Sequence, residues 1–266
     1  MNRFGYYDPT SVQKAIGVAA DKPEGKYLAG GQSLLAAMKL DLAAPTDLID
    51  LAQVADLRGI QIEGGGSAIR IGAMTRHAEV ASSPEVGTRI AALAKLAGMI
   101  GDAQVRNRGT LGGSLANNDP ASDYPAAVLA LGATIHTDRR KIAADDFFKG
   151  LYQTALAAGE LITAVSFPVP KKAAYMKFRN PASRFAVVGV FVAQTASGVR
   201  VAVTGAGTRG VFRAKAMEEA LAKNWSPDAL KSIALPANDM MSDLHASAEY
   251  RSHLAGVLAR RAVAEA

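Results

Sequence analysis

The sequence predicts an α+β fold in which a small parallel unit, a larger antiparallel-sheet unit and a C-terminal α+β domain follow one another along the chain. Three observations carry that expectation. Residues 26–51 read strand, glycine turn, helix, strand, an order that favours a right-handed parallel crossover. From Gly59 onward the apolar runs shorten and are punctuated by turns such as Gly64-Gly65-Gly66, as antiparallel hairpins require. Beyond the boundary Pro168-Val169-Pro170-Lys171-Lys172, three strands expected to form an antiparallel sheet precede a run of helices. The expected divisions are 1–55 and 56–170 for the two N-terminal units and 171–266 for the last domain.

Taken in order, Val12, Ala15, Ile16 and Ala19 recur at helical spacing after the turn-forming Asp8-Pro9, which predicts a helix over 11–20. A strand at 26–29 runs into Gly30-Gly31, Ser33 is placed to cap a helix through Leu40, and 47–51 reads as the next strand. Strands follow at 60–62 and 68–72. One helix is expected from near Thr75 and another from Ser83-Pro84-Glu85, a cap followed by proline and an acid in the first turn. Residues 106–123 are polar and glycine-rich and read as a long loop, which in a compact domain is normally functional or disordered. A helix at 125–131 and strands at 133–137 and 161–167 complete the antiparallel unit. The C-terminal domain reads as strands at 175–178, 187–195 and 199–204, then helices at 213–223, 227–233 and 243–264.

Composition narrows the function classes. The chain has 266 residues, 49% of them hydrophobic and 20% charged, enough for a substantial core. No run approaches the roughly 20 apolar residues of a membrane span, and the first residues lack the apolar stretch of a signal peptide, so a cytoplasmic location is expected. A net charge of +6 is spread along the sequence without a basic cluster interleaved with aromatics, which argues against a nucleic-acid function. The chain contains no cysteine. That excludes an iron–sulfur cluster of its own, a disulfide framework, a cysteine nucleophile and a flavin attached through sulfur. His77, His136, His245 and His253 show no metal-ligand spacing, so no metal site is expected.

Two glycine-serine segments carry the chemistry: Ala29-Gly30-Gly31-Gln32-Ser33 and Thr110-Leu111-Gly112-Gly113-Ser114. Paired glycines without Cβ atoms let backbone amides approach an anion closely, and the first segment opens a helix whose N-terminal end favours negative charge. Each alone reads as an ordinary tight turn; two together favour a diphosphate, and with it a dinucleotide. Arg106 and Arg108 precede the second segment and read either as complements to phosphate or a partner surface, or as solvated side chains. Asn117, Asn118, Asp119 and Asp123 offer groups suited to a ribose or adenine, although Asp119 and Asp123 equally suit caps for the following helix. Residues 203–210 contain a literal G-x-G-x-x-G, but its strand pairs back through Ala196-Ser197-Gly198 as an antiparallel hairpin, so it reads as a structural turn. Nothing resembles a pair of catalytic acids.

The stretches YLAGGQSLLAAMKL, IGAMTRHAEV, QVRNRGTLGGSLANNDPASDYPAA, DFFKGLYQTAL, GELITAVSFPVP and YMKFRNPASRFAVVGV, in this order, resemble the FAD-binding medium subunits of molybdenum hydroxylases, including aerobic carbon monoxide dehydrogenase and the flavin domain of xanthine dehydrogenase. The resemblance runs the full length. It implies a two-subdomain FAD fold of the vanillyl-alcohol-oxidase type followed by the C-terminal domain, with FAD between the first two units. Carried over residue by residue, Ala29, Gly30, Gly31, Gln32 and Ser33, with Thr110, Leu111, Gly112, Gly113 and Ser114, would hold the diphosphate. Asp123 would face the ribose side, Ile100 and Ile162 would flank the flavin or adenine, and Lys177 corresponds approximately to a basic residue near the cofactor. Leu34, Thr75 and Asn117 complete the implied cofactor-binding set, and no catalytic residue is implied.

The resemblance also implies partners: a large molybdopterin subunit that oxidises substrate and a small subunit with [2Fe–2S] clusters, in a dimer of heterotrimers. FAD here would pass electrons to an external acceptor. The sequence departs from the carbon monoxide dehydrogenase pattern at Gln32, where that group has histidine, and its lack of cysteine departs from 4-hydroxybenzoyl-CoA reductase, whose corresponding subunit adds a cluster. A self-sufficient flavin oxidoreductase and a nucleotide-binding regulatory module remain as alternatives.

Overall fold

The structure is a computed structural model and describes residues 2–266. A three-stranded sheet at the N-terminal end has Asp47–Asp50 at its centre, with Gly5–Tyr7 and Lys26–Leu28 parallel to it on either side. The expected crossover is present, and Gly5–Tyr7 adds a strand that the sequence did not signal because three residues are too few for a period-2 pattern. Helix Val12–Asp21 is capped by Ser11, whose hydroxyl accepts from the Lys14 amide at 3.3 Å. Ala15, Ile49, Leu51 and Val54 form a small core completed by Met74 and Leu161, which come from the next unit and dock the two together.

The second unit is a five-stranded antiparallel sheet in the order Ile60–Glu63, Ala68–Gly72, Ile162–Pro168, Thr134–Thr137, Lys141–Ala143. Six helices lie in sequence between its second strand and Thr134–Thr137: His77–Ser82, Pro84–Arg89, Ala91–Gly98, Ala103–Arg108, Leu111–Asn117 and Tyr124–Leu131. Residues 106–123 are therefore not the long loop that their composition suggested, since they hold the end of one helix and the whole of the next. Ile69, Ile71, Ile135, Val165 and Phe167 alternate inward from the sheet and are fully buried against these helices.

The C-terminal domain contains a four-stranded antiparallel sheet, Lys172–Arg179, Ala186–Thr195, Gly198–Thr204 and Phe212–Arg213. The expected three strands are joined by a fourth of only two residues. Of the expected helices, Lys215–Lys223 forms, 227–233 shortens to a 3-10 turn Pro227–Leu230, and the last begins at Ala248 under a Ser247 cap. This sheet is covered on both faces. Tyr175, Phe191, Ala193 and Ala202 face the N-terminal units and join their core, while Ala174, Val190, Val192, Val201 and Val203 face the C-terminal helices. Helix Tyr124–Leu131 lies between the two sheets, and all eight of its residues are buried, as an all-apolar helix requires. Among the described residues no helix is long and apolar enough to cross a membrane.

Candidate functional site

The first glycine segment leaves the strand Lys26–Leu28 at the edge of the parallel sheet and enters the helix Leu34–Lys39. Gly31 sits at φ +74°, in the left-handed region open to glycine. The turn closes when Leu35 donates its amide to the Gly31 carbonyl at 3.2 Å and Ala37 donates to Ser33 at 3.0 Å. Ser33 is not the side-chain cap expected: its backbone is already near-helical, at φ −107° and ψ −53°, and its hydroxyl makes no capping bond. Leu34 packs half-buried against Leu28, Met38 and Leu48, so its side chain supports the turn.

The second segment is the first turn of helix Leu111–Asn117. Thr110 is its N-cap and accepts from the Gly113 amide through its hydroxyl at 3.1 Å. Gly112 lies so close to Ala73 that a Cβ there would fall 2.6 Å from the Ala73 methyl.

Although about eighty residues apart in sequence, the two segments touch. A Cβ on Gly30 would lie 2.1 Å from the Arg108 carbonyl oxygen and 2.8 Å from Gly109 Cα, so glycine is required for the contact itself. A Cβ on Gly113 would meet the Ala29 methyl at 3.4 Å. A cleft opens beside the junction, lined by Ala29, Gly30 and Thr110 together with Arg58, Arg76 and Arg108. Arg58 donates to the Ala52 carbonyl at 2.8 Å. None of the three arginines forms an ion pair among the described residues.

The amides of the two segments are in opposite states. In the second, Leu111 donates to Thr75 (3.1 Å), Gly112 to Ala73 (2.8 Å), Gly113 to the Thr110 hydroxyl, and Ser114 to the Thr110 carbonyl (3.0 Å). In the first, the amides of Gly31, Gln32 and Ser33 find no acceptor among the described residues. The expectation that both segments offer backbone donors is corrected accordingly. The first supplies free amides next to a helix N-terminus, while the second supplies close approach at Gly113 and the hydroxyl of Ser114. Asn117, three residues after Ser114 and so on the same helix face, is half-exposed, and its side chain makes no hydrogen bond among the described residues. Three unpaired donors in one turn fit an anion such as a diphosphate, because an amide without an acceptor is satisfied only by water or ligand.

Asp123, Lys177 and the turn carrying Ile100 come together through Lys177. Asp123 does not cap the following helix; its carboxylate accepts from the Tyr175 hydroxyl and, at 2.9 Å, from the Lys177 ammonium. Both side chains of that ion pair are buried. Burial pushes the Asp123 carboxyl up, against the pull of Lys177 and Tyr175, and burial likewise raises the Tyr175 hydroxyl far above its ordinary value. Lys177 also donates to the Met99 carbonyl at 3.1 Å, next to half-buried Ile100. Ile162 is a buried member of the same core. Thr75 is engaged with Gly59, accepting from its amide at 3.1 Å and donating to its carbonyl at 3.2 Å. Asn118 holds a left-handed conformation and donates to Gly150 and Gln153, both at 2.8 Å, so it closes the helix. Asp119 turns the backbone through a bond from the Ala121 amide.

Arg106, expected to meet phosphate, a partner or solvent, donates instead to the carbonyls of Ile100 and Gly101, each at 3.0 Å. Tyr175, Arg58 and Arg76 were not singled out from the sequence. For Tyr175 a signal exists, since it stands two residues before Lys177 and therefore on the same face of one strand. The G-x-G-x-x-G at 205–210 links two antiparallel strands, Gly198–Thr204 and Phe212–Arg213, and is a structural turn.

Comparison with known proteins bears on this arrangement. Residues 2–170 match the family model described as the FAD binding domain in molybdopterin dehydrogenase, and residues 173–266 match the CO dehydrogenase flavoprotein C-terminal domain. The carbon monoxide dehydrogenase medium chain of Hydrogenophaga pseudoflava is 35% identical over 98% of this chain and 96% of its own. The nicotine 6-hydroxylase medium subunit of Paenarthrobacter nicotinovorans is 37% identical over the same shares, 98% and 96%. Among solved structures, a chain of the reconstituted CO dehydrogenase from Oligotropha carboxidovorans superposes with a TM-score of 0.91 at 33% identity, covering 99% of this chain and 97% of that one.

Proposed function

Because the chain belongs to the FAD-binding family of molybdopterin dehydrogenases and is similar along its length to medium subunits of molybdenum hydroxylases, with FAD as its cofactor, we propose that it is the electron-transfer subunit of a heterotrimeric enzyme of that kind. The observation that supports the site assignment most directly is the meeting of the two glycine segments, with Ala29 against Gly113, together with the amides of Gly31, Gln32 and Ser33, which have no acceptor among the described residues. FAD bound there would supply the redox chemistry, accepting electrons from the [2Fe–2S] clusters of a small partner and passing them to an external acceptor. The residues of this chain bind and orient. The three amides and the Ser114 hydroxyl hold the diphosphate, Gly30 and Gly113 let the two segments approach one another, and Asn117 reaches the ribose. Thr110 and Leu111 shape the turn, Leu34 and Thr75 brace it, and Ile100 flanks the rest of the cofactor, supported from behind by the buried Asp123–Lys177 pair and the core residue Ile162.

In this reading residues 1–170 form the FAD-binding domain, and the substrate is oxidised at a molybdopterin centre in a large subunit. Nearly equal likeness to medium subunits named for carbon monoxide and for nicotine supports placing substrate choice in that partner. We place the assembly in the cytoplasm as a dimer of heterotrimers. The test begins with the purified chain, which should show flavin absorbance and no turnover of small substrates unaided; unaided turnover would replace this reading with a self-sufficient oxidoreductase. Replacing Gly113 and Ser114 together by leucine should abolish FAD retention while far-ultraviolet circular dichroism stays unchanged, with Ser114→Leu alone as the milder control. Undiminished flavin in both variants would overturn the diphosphate assignment.

A further inference from the structure

The turn that carries Ile100 is held by cations from three directions. It follows helix Ala91–Gly98, where the last carbonyls of the helix have no partners within it. Met99 accepts from the Lys177 ammonium at 3.1 Å, and Ile100 and Gly101 both accept from Arg106 Nη1 at 3.0 Å. Gly101 accepts again, at 3.4 Å, from Arg184 of the C-terminal domain. Gly101 is left-handed at φ +49°, and a Cβ there would strike Val105 at 2.7 Å, so the chain doubles back tightly between Ile100 and the Asp102 cap of the next helix. Arg106 lies on that next helix and, among the described residues, is the one group that bonds two consecutive carbonyls of the turn.

Ordinary helix capping accounts for one of these contacts, but not for three donors drawn from two domains onto three successive carbonyls. We propose that Arg106 is a positioning residue for the flavin site, acting through Ile100: it fixes the turn so that the Ile100 side chain stands against the cofactor. The proposal rests on the assignment of Ile100 to the FAD site. A rigid apolar wall contributes affinity because its conformation is set before the ligand arrives, and a turn with freed carbonyls no longer offers that wall. Arg106 also lies close enough to His77 for its charge to add to burial in holding that ring neutral.

The experiment is a double-mutant cycle on the full chain, with FAD affinity read by fluorescence quenching and the geometry of bound flavin read by visible circular dichroism at saturating FAD. Arg106→Met should weaken FAD binding by about tenfold, the equivalent of one lost charge-assisted bond, and alter the visible dichroism. Arg106→Lys, which keeps a cationic donor, should recover part of both. In the Ile100→Ala background, Arg106→Met should add little. Additive losses, or a normal affinity and flavin spectrum in Arg106→Met even with lowered thermal stability, would overturn the positioning role. Unchanged FAD binding in Ile100→Ala would instead remove Ile100 from the site, and the proposal with it.

Discussion

At the scale of single residues, the site is governed by what glycine leaves out and by what burial does to ionisable groups. Gly30 was legible as an anion-binding glycine, but its structural requirement is contact with the backbone of residues 108–109, which no local pattern announces. His77 looked like one more packing histidine. It is buried between Gly109 and the Tyr124 ring, and burial, with a smaller push from the Arg106 charge, pulls it from 6.5 to about 4. Between those values the unfolded chain binds a proton that the folded chain refuses. Stability is therefore lost as pH falls from 6.5 to about 4, by about 3 kcal/mol in all, and this group adds no further loss below that. Glu160, held down to about 2 by hydrogen bonding to Arg140, loses its contribution in a lower window, from 4.5 downward. Urea unfolding of His77→Gln between pH 4 and 7 should show a slope shallower by about one proton than the parent chain; parallel slopes would refute the assignment.

At the scale of elements, the misread stretch is instructive. Two adjacent glycines each disfavour helix by about 1 kcal/mol relative to alanine, so residues 111–117 read locally as loop. Long-range contacts outweigh that cost: Leu111 and Leu115 are fully buried, and the Leu111 and Gly112 amides are bonded to Thr75 and Ala73, just past the end of strand Ala68–Gly72. The Thr110 cap then closes the first turn. Thr110→Val should cost about 1 kcal/mol in denaturant unfolding and Thr110→Ser much less, because only the hydroxyl accepts from Gly113. Equal losses for both would mean that the methyl packing matters and the cap does not. The neighbouring helix Tyr124–Leu131 was readable from its apolar run, but which sheets cover it was not, since a helix apolar all round carries no directional signal.

At the scale of the whole molecule, the two family matches meet near residue 170, but the core runs across that point. Residues 2–170 and 173–266 match separate family models, yet Tyr175, Phe191, Ala193 and Ala202 complete the core of the N-terminal units, and Lys177 reaches Asp123 and Met99. Each large apolar side chain so shared contributes about 1.5–3 kcal/mol, of the same order as the stability of a domain when several are summed. A fragment ending at Pro170 should expose helix Tyr124–Leu131, bind hydrophobic dye and fail to retain FAD. A fragment with sharp cooperative unfolding and bound flavin would show that the domains are energetically independent.

The sequence by itself determined the α+β order of elements, the parallel crossover at the start, the two glycine-serine segments and the absence of any thiolate ligand, because turns, periodicity and residue chemistry are local properties. Only the tertiary structure decided that Gly30 meets residues 108–109, that one segment keeps its amides free while the other spends them, and that Asp123, Lys177 and the Ile100 turn form one buried system. Those outcomes depend on which distant groups compete for each donor and acceptor, and that competition exists only once the chain has closed on itself.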